Sequence, residues 1–150
     1  MEIKKILLPT DFSQESYRAL EYALDLMKRY NAKLYILHVL YDVAKVGGWY
    51  VPHPSMAEMF KDIEGAAKKE LERFGLEELR GQKDVERILL KGTPHEEIIK
   101  FAEENKIDLI VIGATSKKGV GRLLFGSTAT PVVRSAPCPV LTVRPSGPKE

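Results

Sequence analysis

Apolar residues occur along the chain in two alternating patterns: short continuous runs and longer segments with helical spacing. Between the runs, apolar positions recur every three or four residues, as on the buried face of an amphipathic helix. The runs cover residues 5–9, 34–40, 108–113 and 139–143, and the nearly continuous run 34–40 is typical of a strand buried on both faces of a parallel sheet. Residues 85–90, in which Glu86 and Arg87 interrupt the apolar positions, predict a further strand. This alternation predicts right-handed crossovers, and therefore an α/β fold with helices on both faces of a mainly parallel sheet.

Three predicted helices have recognisable start signals. Ser13 is the expected N-cap of the first helix. A capping box at residues 55–58 predicts the start of the second, whose apolar stripe includes Met59 and Ile63. The third predicted helix covers residues 93–104, which open with a threonine cap, a first-turn proline and a capping-box glutamate.

The start of the last helix has two possible positions because of Pro131. With Ser127 as the N-cap, Pro131 is the fourth helical residue and removes a donor from the hydrogen-bond ladder. With Thr130 as the N-cap, Pro131 takes the favoured first position and the helix begins further from Ser127. Both alternatives remain open at this point.

A length of 150 residues predicts one domain spanning residues 1–150, with residues 145–150 as a flexible tail. Because no apolar run is long enough to cross a membrane and no secretory signal is recognisable, we expect a cytoplasmic protein without a membrane partner. Residues 41–54 form an unusually long connection with the single tryptophan, which suggests that the connection covers a ligand or meets a partner.

Cysteine and histidine usage argues against a protein-held metal. Cys138 is the single cysteine, which excludes an internal disulfide and multi-cysteine metal sites. His38, His53 and His95 lack metal-ligand spacing, and structural roles are more plausible for them than catalytic ones. A formal charge of +2, without aromatic residues interleaved with basic ones, also argues against a nucleic-acid partner.

Two segments follow predicted strands at the edge where ligands bind in open α/β sheets. The first is Pro9–Asp11 and the second is residues 113–128. The second contains several glycines, three basic residues and Gly126–Thr128 leading into a helix, the parts of an anion site. A glycine-containing surface loop with solvated lysines explains the same composition equally well.

Two common nucleotide motifs do not fit this second segment. Gly119 and Gly121 lack the third glycine of a dinucleotide fingerprint. Ser127 stands where a Walker A loop has its lysine. Asp11 lacks the neighbouring acids of a receiver-domain phosphoacceptor, so it either caps the first helix or contacts a nucleotide.

Taken together, four motifs resemble those of the universal stress protein family over nearly the whole chain. The family's phosphate motif is Gly-x2-Gly-x9-Gly-(Ser/Thr); Gly113, the nine residues 117–125 and Gly126–Ser127 fit it, while Ser116 replaces the second glycine. The other matching segments are residues 6–13, 92–94 and 136–140.

This resemblance implies a three-layer α/β fold of the adenine nucleotide alpha hydrolase-like type, with five parallel strands in the order 3-2-1-4-5. It also implies a homodimer through residues 139–144 and a regulatory role rather than robust catalysis. The implied ligand is ATP, with Mg or Mn bound by its phosphates. The implied nucleotide-binding residues are Pro9, Thr10, Asp11, Val39, Ile112, Gly113, Ser116, Gly126, Ser127 and Thr128.

Two alternatives share this fold. In the first, the Cβ of Ser116 obstructs phosphate and the protein is an interaction module without nucleotide; in the second, it is a slow ATPase. Charge distribution favours an anionic ligand, because residues 114–150 carry six basic residues and one acidic residue. Three of the basic residues, Lys117, Lys118 and Arg122, lie on the candidate phosphate loop.

Overall fold

The computed structural model describes residues 1–42, 54–114 and 126–145, without the side chains of residues 54–56. Within these ranges strands and helices alternate as the sequence predicts: β1 (Lys5–Pro9), α1 (Gln14–Tyr30), β2 (Lys33–Tyr41), α2 (Pro54–Arg73), β3 (Val85–Gly92), α3 (Pro94–Glu104), β4 (Leu109–Gly113), α4 (Ala129–Ser135) and β5 (Val140–Val143). None of the helices in these ranges is long and apolar enough to span a membrane.

The five strands form one sheet in the order β3-β2-β1-β4-β5, and every pairing is parallel. The predicted fold class and strand order are therefore confirmed. Pro9 at the end of β1 is in register with Leu37, and Gly113 at the end of β4 is in register with Val143. Because the winding direction reverses between β1 and β4, the carboxyl ends of these strands flank the expected ligand crevice.

Two apolar clusters fill the two faces of the sheet. Leu8 packs with α1 and the end of α2 on one face, whereas the adjacent Leu7 packs with α3 and α4 on the other. Alternation along β1 explains this division, since successive strand side chains point to opposite faces. Both faces are thus covered by helices, as the continuous apolar runs predict.

The helix starts agree with the sequence only in part. Ser13 caps α1 through its side chain, as predicted. The helix start predicted from the capping box at residues 55–58 is wrong, because α2 begins at Pro54. The fixed φ of proline suits the first turn of a helix. Thr93 is the N-cap of α3 but makes no side-chain cap bond; its carbonyl instead accepts from the Glu97 amide at 3.0 Å.

The apolar stripe predicted along α2 is buried only towards the end of the helix. Ala67 and Leu71 are buried, whereas Met59 and Ile63 are 52% and 47% exposed. Leu71 and the following Phe74 belong to the cluster beneath α1, which is where α2 meets the core. The stripe prediction is therefore wrong for the first turns of α2.

The last helix begins at neither of the two predicted positions. Thr128 is the N-cap of α4, so Pro131 is its third residue. The first amides of a helix have no intrahelical acceptor, and a proline at this position therefore removes no ladder bond. Val132, the next residue, donates normally to the Thr128 carbonyl at 3.3 Å.

Candidate functional site

A cavity of about 260 Å³ opens at the carboxyl ends of β1, β2 and β4, against the first turns of α1, α3 and α4. Ser116, one of the ten residues predicted to bind nucleotide, lies outside the described residues. The other nine all line this cavity: Pro9, Thr10, Asp11, Val39, Ile112, Gly113, Gly126, Ser127 and Thr128. Residues more than 110 positions apart in the chain are thus brought together at the predicted edge.

The remaining lining residues were missed by the sequence analysis: Ser13, Ser16, Leu37, His38, Pro94, Ile98 and Ala129. A signal for some of them was available. Leu37 is in register with Pro9, so a parallel pairing of the first two strands places residues 37–39 at the same edge. Pro94 and Ile98 are one helical turn apart on α3 and face the same side.

One wall of the cavity is the turn between β1 and α1, and a buried hydroxyl pair holds it. The Thr10 hydroxyl donates to Ser16 Oγ at 2.8 Å and accepts from the Phe12 amide at 2.9 Å. Ser16 Oγ in turn donates to the Ser13 carbonyl at 2.8 Å. Because Thr10 and Ser16 are almost fully buried, their satisfied hydroxyls fix the turn strongly.

Asp11 lies on this turn and supports the start of α1. Its Oδ1 accepts from the amide of Ser13 at 3.0 Å. Asp11 therefore helps to cap α1 indirectly, by holding the N-cap residue Ser13, whereas contact with a nucleotide stays a prediction. Among the described residues that line the cavity, Asp11 is the one with a carboxylate, and its side chain is exposed to solvent.

His38 and Phe12 complete the turn. The Nδ1 of His38 lies 2.7 Å from the Thr10 carbonyl oxygen, and its ring stacks on Phe12 with centroids 4.3 Å apart. Phe12 has a φ of 67°, in the left-handed region. The predicted structural role of His38 agrees with these contacts, but the residue also lines the cavity.

Gly113 allows α1 to approach the end of β4 closely. A Cβ at this position would lie 2.6 Å from the Glu15 carbonyl oxygen and 3.1 Å from the Ser16 nitrogen. Both are backbone atoms, which cannot move aside as a flexible side chain can. The glycine is therefore needed for helix–strand packing, whether or not a phosphate also approaches it.

The opposite wall, Gly126–Thr128, has few side-chain bonds. Thr128 makes no side-chain cap bond, and Ser127 is exposed. The carbonyl of Gly126 accepts from Thr130 at 3.3 Å, which leads the chain into α4. Of the first three residues of α4, Thr130 already donates to Gly126 and Pro131 has no amide hydrogen, so Ala129 has the amide without an intrahelical acceptor.

Metal-binding and thiol chemistry have little support around this site. Among the described residues, no group of three or more His, Cys, Asp or Glu side chains is placed to hold a metal ion. Burial, and secondarily the charge of Asp108, raises the pKa of the Cys138 thiol, which disfavours the reactive thiolate. The segment with Lys117, Lys118 and Arg122, and the connection from residue 43 to 53, lie outside the described residues.

Comparison with known proteins agrees with this architecture. Universal stress protein MJ0531 of Methanocaldococcus jannaschii is 35% identical over 147 residues, which cover 94% of this chain and 82% of that protein. A solved structure of hypothetical protein MJ0577, from the same organism, superposes with a TM-score of 0.80 at 29% identity and covers 99% of this chain and 100% of that one. The model of the universal stress protein family matches residues 2–144. The chain belongs to the universal stress protein family.

Proposed function

We propose that the cavity binds an adenine nucleotide, ATP with Mg or Mn on its phosphates, and that the protein is a nucleotide-responsive regulator rather than a robust catalyst. The observation that carries the proposal is the convergence of nine predicted nucleotide residues on one cavity. No other cavity described in the molecule combines the ends of three strands with the starts of three helices.

The lining offers different chemistry to the different parts of a nucleotide. Pro9, Val39 and Ile112 supply apolar surface suited to a base. Gly126–Thr128 supplies hydroxyls and backbone amides suited to phosphate oxygens. Asp11 suits a ribose hydroxyl or an amino group, since a carboxylate accepts hydrogen bonds and repels phosphate. In this arrangement the divalent cation is bound by the phosphates.

Two proteins of this fold were solved with adenine nucleotides. One is a universal stress protein in complex with cAMP, at 23% identity and a TM-score of 0.58. The other is a family member from Arabidopsis thaliana with AMP bound, at 22% identity and a TM-score of 0.62. At these identities the likeness concerns the fold, so the ligand proposed for this chain depends on its own cavity.

Isothermal titration with ATP and Mg²⁺ tests the proposal. We expect saturable binding that Gly126→Asp abolishes, because the new carboxylate repels phosphate at the cavity wall. Gly65→Asp adds the same charge on an exposed part of α2 and is the matched control. Absence of heat and of thermal stabilisation at millimolar ATP would contradict nucleotide binding and favour an interaction module.

The proposal includes a homodimer through residues 139–144. Within the described residues β5 pairs with β4 alone and is an edge strand. Ile110 and Ala114 donate to the carbonyls of Pro139 and Val143, so by alternation the amide of Thr142 points away from β4. Thr142→Pro removes that outward donor, and light scattering should then report a monomer. A wild-type chain that is itself monomeric at micromolar concentration would contradict the dimer.

A further inference from the structure

Phe12 adopts a backbone conformation that its residue type disfavours. Its φ of 67° lies in the left-handed region, which glycine enters freely and bulky residues rarely enter. Such a conformation costs free energy and persists only where the surrounding structure holds it. The contacts around Phe12 therefore show what maintains the wall of the cavity.

Three groups hold Phe12 in place. Its amide donates to Thr10 Oγ1 at 2.9 Å, and its ring lies 6.2 Å from that of Phe74. The closest ring is His38, at 4.3 Å between centroids with an interplanar angle of 29°. His38 comes from β2, so the strained turn after β1 is held from a neighbouring strand.

The hydrogen bond of His38 fixes the position of one proton. Its Nδ1 lies 2.7 Å from the carbonyl oxygen of Thr10, and a carbonyl can only accept. Nδ1 must therefore carry a proton in both the neutral and the charged ring. The neutral ring is consequently the Nδ1–H tautomer, with Nε2 as a hydrogen-bond acceptor.

We propose that His38 is a positioning residue that holds the Thr10–Ser13 turn in its strained conformation and thereby sets the base selectivity of the cavity. One ring makes both necessary contacts, the bond to Thr10 and the stack on Phe12. The turn presents Pro9 and Asp11 to the cavity, so its conformation decides where their groups meet a ligand. The selectivity statement rests on the proposed nucleotide function, whereas the statement about the turn does not.

The unliganded protein tests the positioning role by NMR. Long-range ¹H–¹⁵N spectra should show His38 as the Nδ1–H tautomer at neutral pH. In His38→Ala, exchange of the Phe12 amide should accelerate at least about fivefold, the effect of losing one hydrogen bond, while the Leu7 amide in β1 stays unchanged. His95→Ala replaces a histidine that does not line the cavity, and it should change neither the His38 tautomer nor the exchange of the Phe12 amide. If His38→Ala does not fold, His38→Leu serves in its place, because leucine fills more of the space and has no donor for the Thr10 carbonyl.

Nucleotide binding tests the selectivity statement. His38→Ala should weaken ATP binding about fivefold and GTP binding less. The ratio of the dissociation constant for GTP to that for ATP should therefore fall. A role confined to stability would leave that ratio unchanged, and this result would overturn the selectivity statement.

The outcomes separate the two proposals. If the wild-type chain binds neither nucleotide, the proposed function fails and the selectivity statement fails with it. The positioning role then still stands if Phe12 exchange accelerates in the His38 variant alone. An Nε2–H tautomer, or unchanged Phe12 exchange, overturns the positioning role even if ATP binds.

Discussion

The two walls of the cavity are built in opposite ways. The turn from Thr10 to Ser13 is held by side chains, with a buried hydroxyl pair, a capped helix and a histidine reaching across from β2. Gly126–Thr128 leads into a seven-residue helix whose N-cap, Thr128, makes no side-chain cap bond. The first wall is thus held by several side-chain bonds among the described residues, whereas the second has no side-chain cap bond. Substitutions at the first wall should therefore lower stability, with any effect on binding acting through the turn, whereas substitutions at the second wall should affect ligand binding with little loss of stability.

Gly113→Ala should have the largest effect on stability. The added Cβ would meet backbone atoms of α1 at 2.6 and 2.7 Å, so α1 or β4 must shift. We expect a loss of about 3 kcal/mol in the free energy of unfolding, at the upper end for overpacking, measured by urea denaturation.

Gly65→Ala is the matched control for this substitution. Nothing lies within 4 Å of a Cβ at this exposed helical position. The control should therefore gain about 0.5–1 kcal/mol from helix propensity. A Gly113→Ala protein as stable as the wild type would show that the contact between α1 and β4 is adaptable.

The buried hydroxyl pair should give the next largest effect. Ser16→Ala leaves the buried Thr10 hydroxyl without its acceptor, at a cost of about 1–3 kcal/mol, while the Ser13 carbonyl keeps the Tyr17 amide as a donor. Thr10→Val removes the acceptor of the Phe12 amide and should cost a similar amount. Because the two hydroxyls bond each other, the double variant should lose less stability than the sum of the single variants. Strict additivity in denaturation measurements would contradict a coupled pair.

The helix caps allow a direct test of one wall against the other. Ser13→Ala loses the bond from the Ser16 amide to Ser13 Oγ, at 3.3 Å, and should cost about 1 kcal/mol. Thr128→Ala loses no side-chain cap bond and should cost less than about 0.5 kcal/mol. Thermal unfolding of the two variants measures the difference. Equal losses would mean that the second wall is also held by its side chains.

The sequence predicted the frame of this site better than its details. Apolar runs located the central strands of the described sheet most clearly, because a strand buried on both faces, such as β1 or β4, has little freedom in composition. The start of α4 at Thr128 was missed, since both Ser127 and Thr130 are good caps and only tertiary packing selects the position. The exposure of Met59 could not be read from the sequence either, because periodicity shows a helical face but not how far along it the core extends.

His38 shows a further limit of sequence reasoning. A histidine within a strand gives no signal of the turn that it contacts, because Thr10 lies 28 residues earlier in the chain. Gly113 was predicted as a phosphate contact from its motif, whereas its fit against α1 depends on how the helix packs. The motifs therefore indicated which residues line the cavity, whereas the packing of helices and strands decides the structural role of each residue.

Ser127→Ala should have the smallest effect on stability and the clearest effect on function. Ser127 is exposed, so the free energy of unfolding should change by less than about 0.5 kcal/mol. If its hydroxyl donates to a phosphate, the dissociation constant for ATP should rise about fivefold. Ser135→Ala makes the same change at an exposed position of α4 away from the cavity and should leave affinity unaltered. An unchanged ATP affinity in Ser127→Ala would assign phosphate binding to the backbone amides alone, while a large loss of stability would contradict the difference between the two walls.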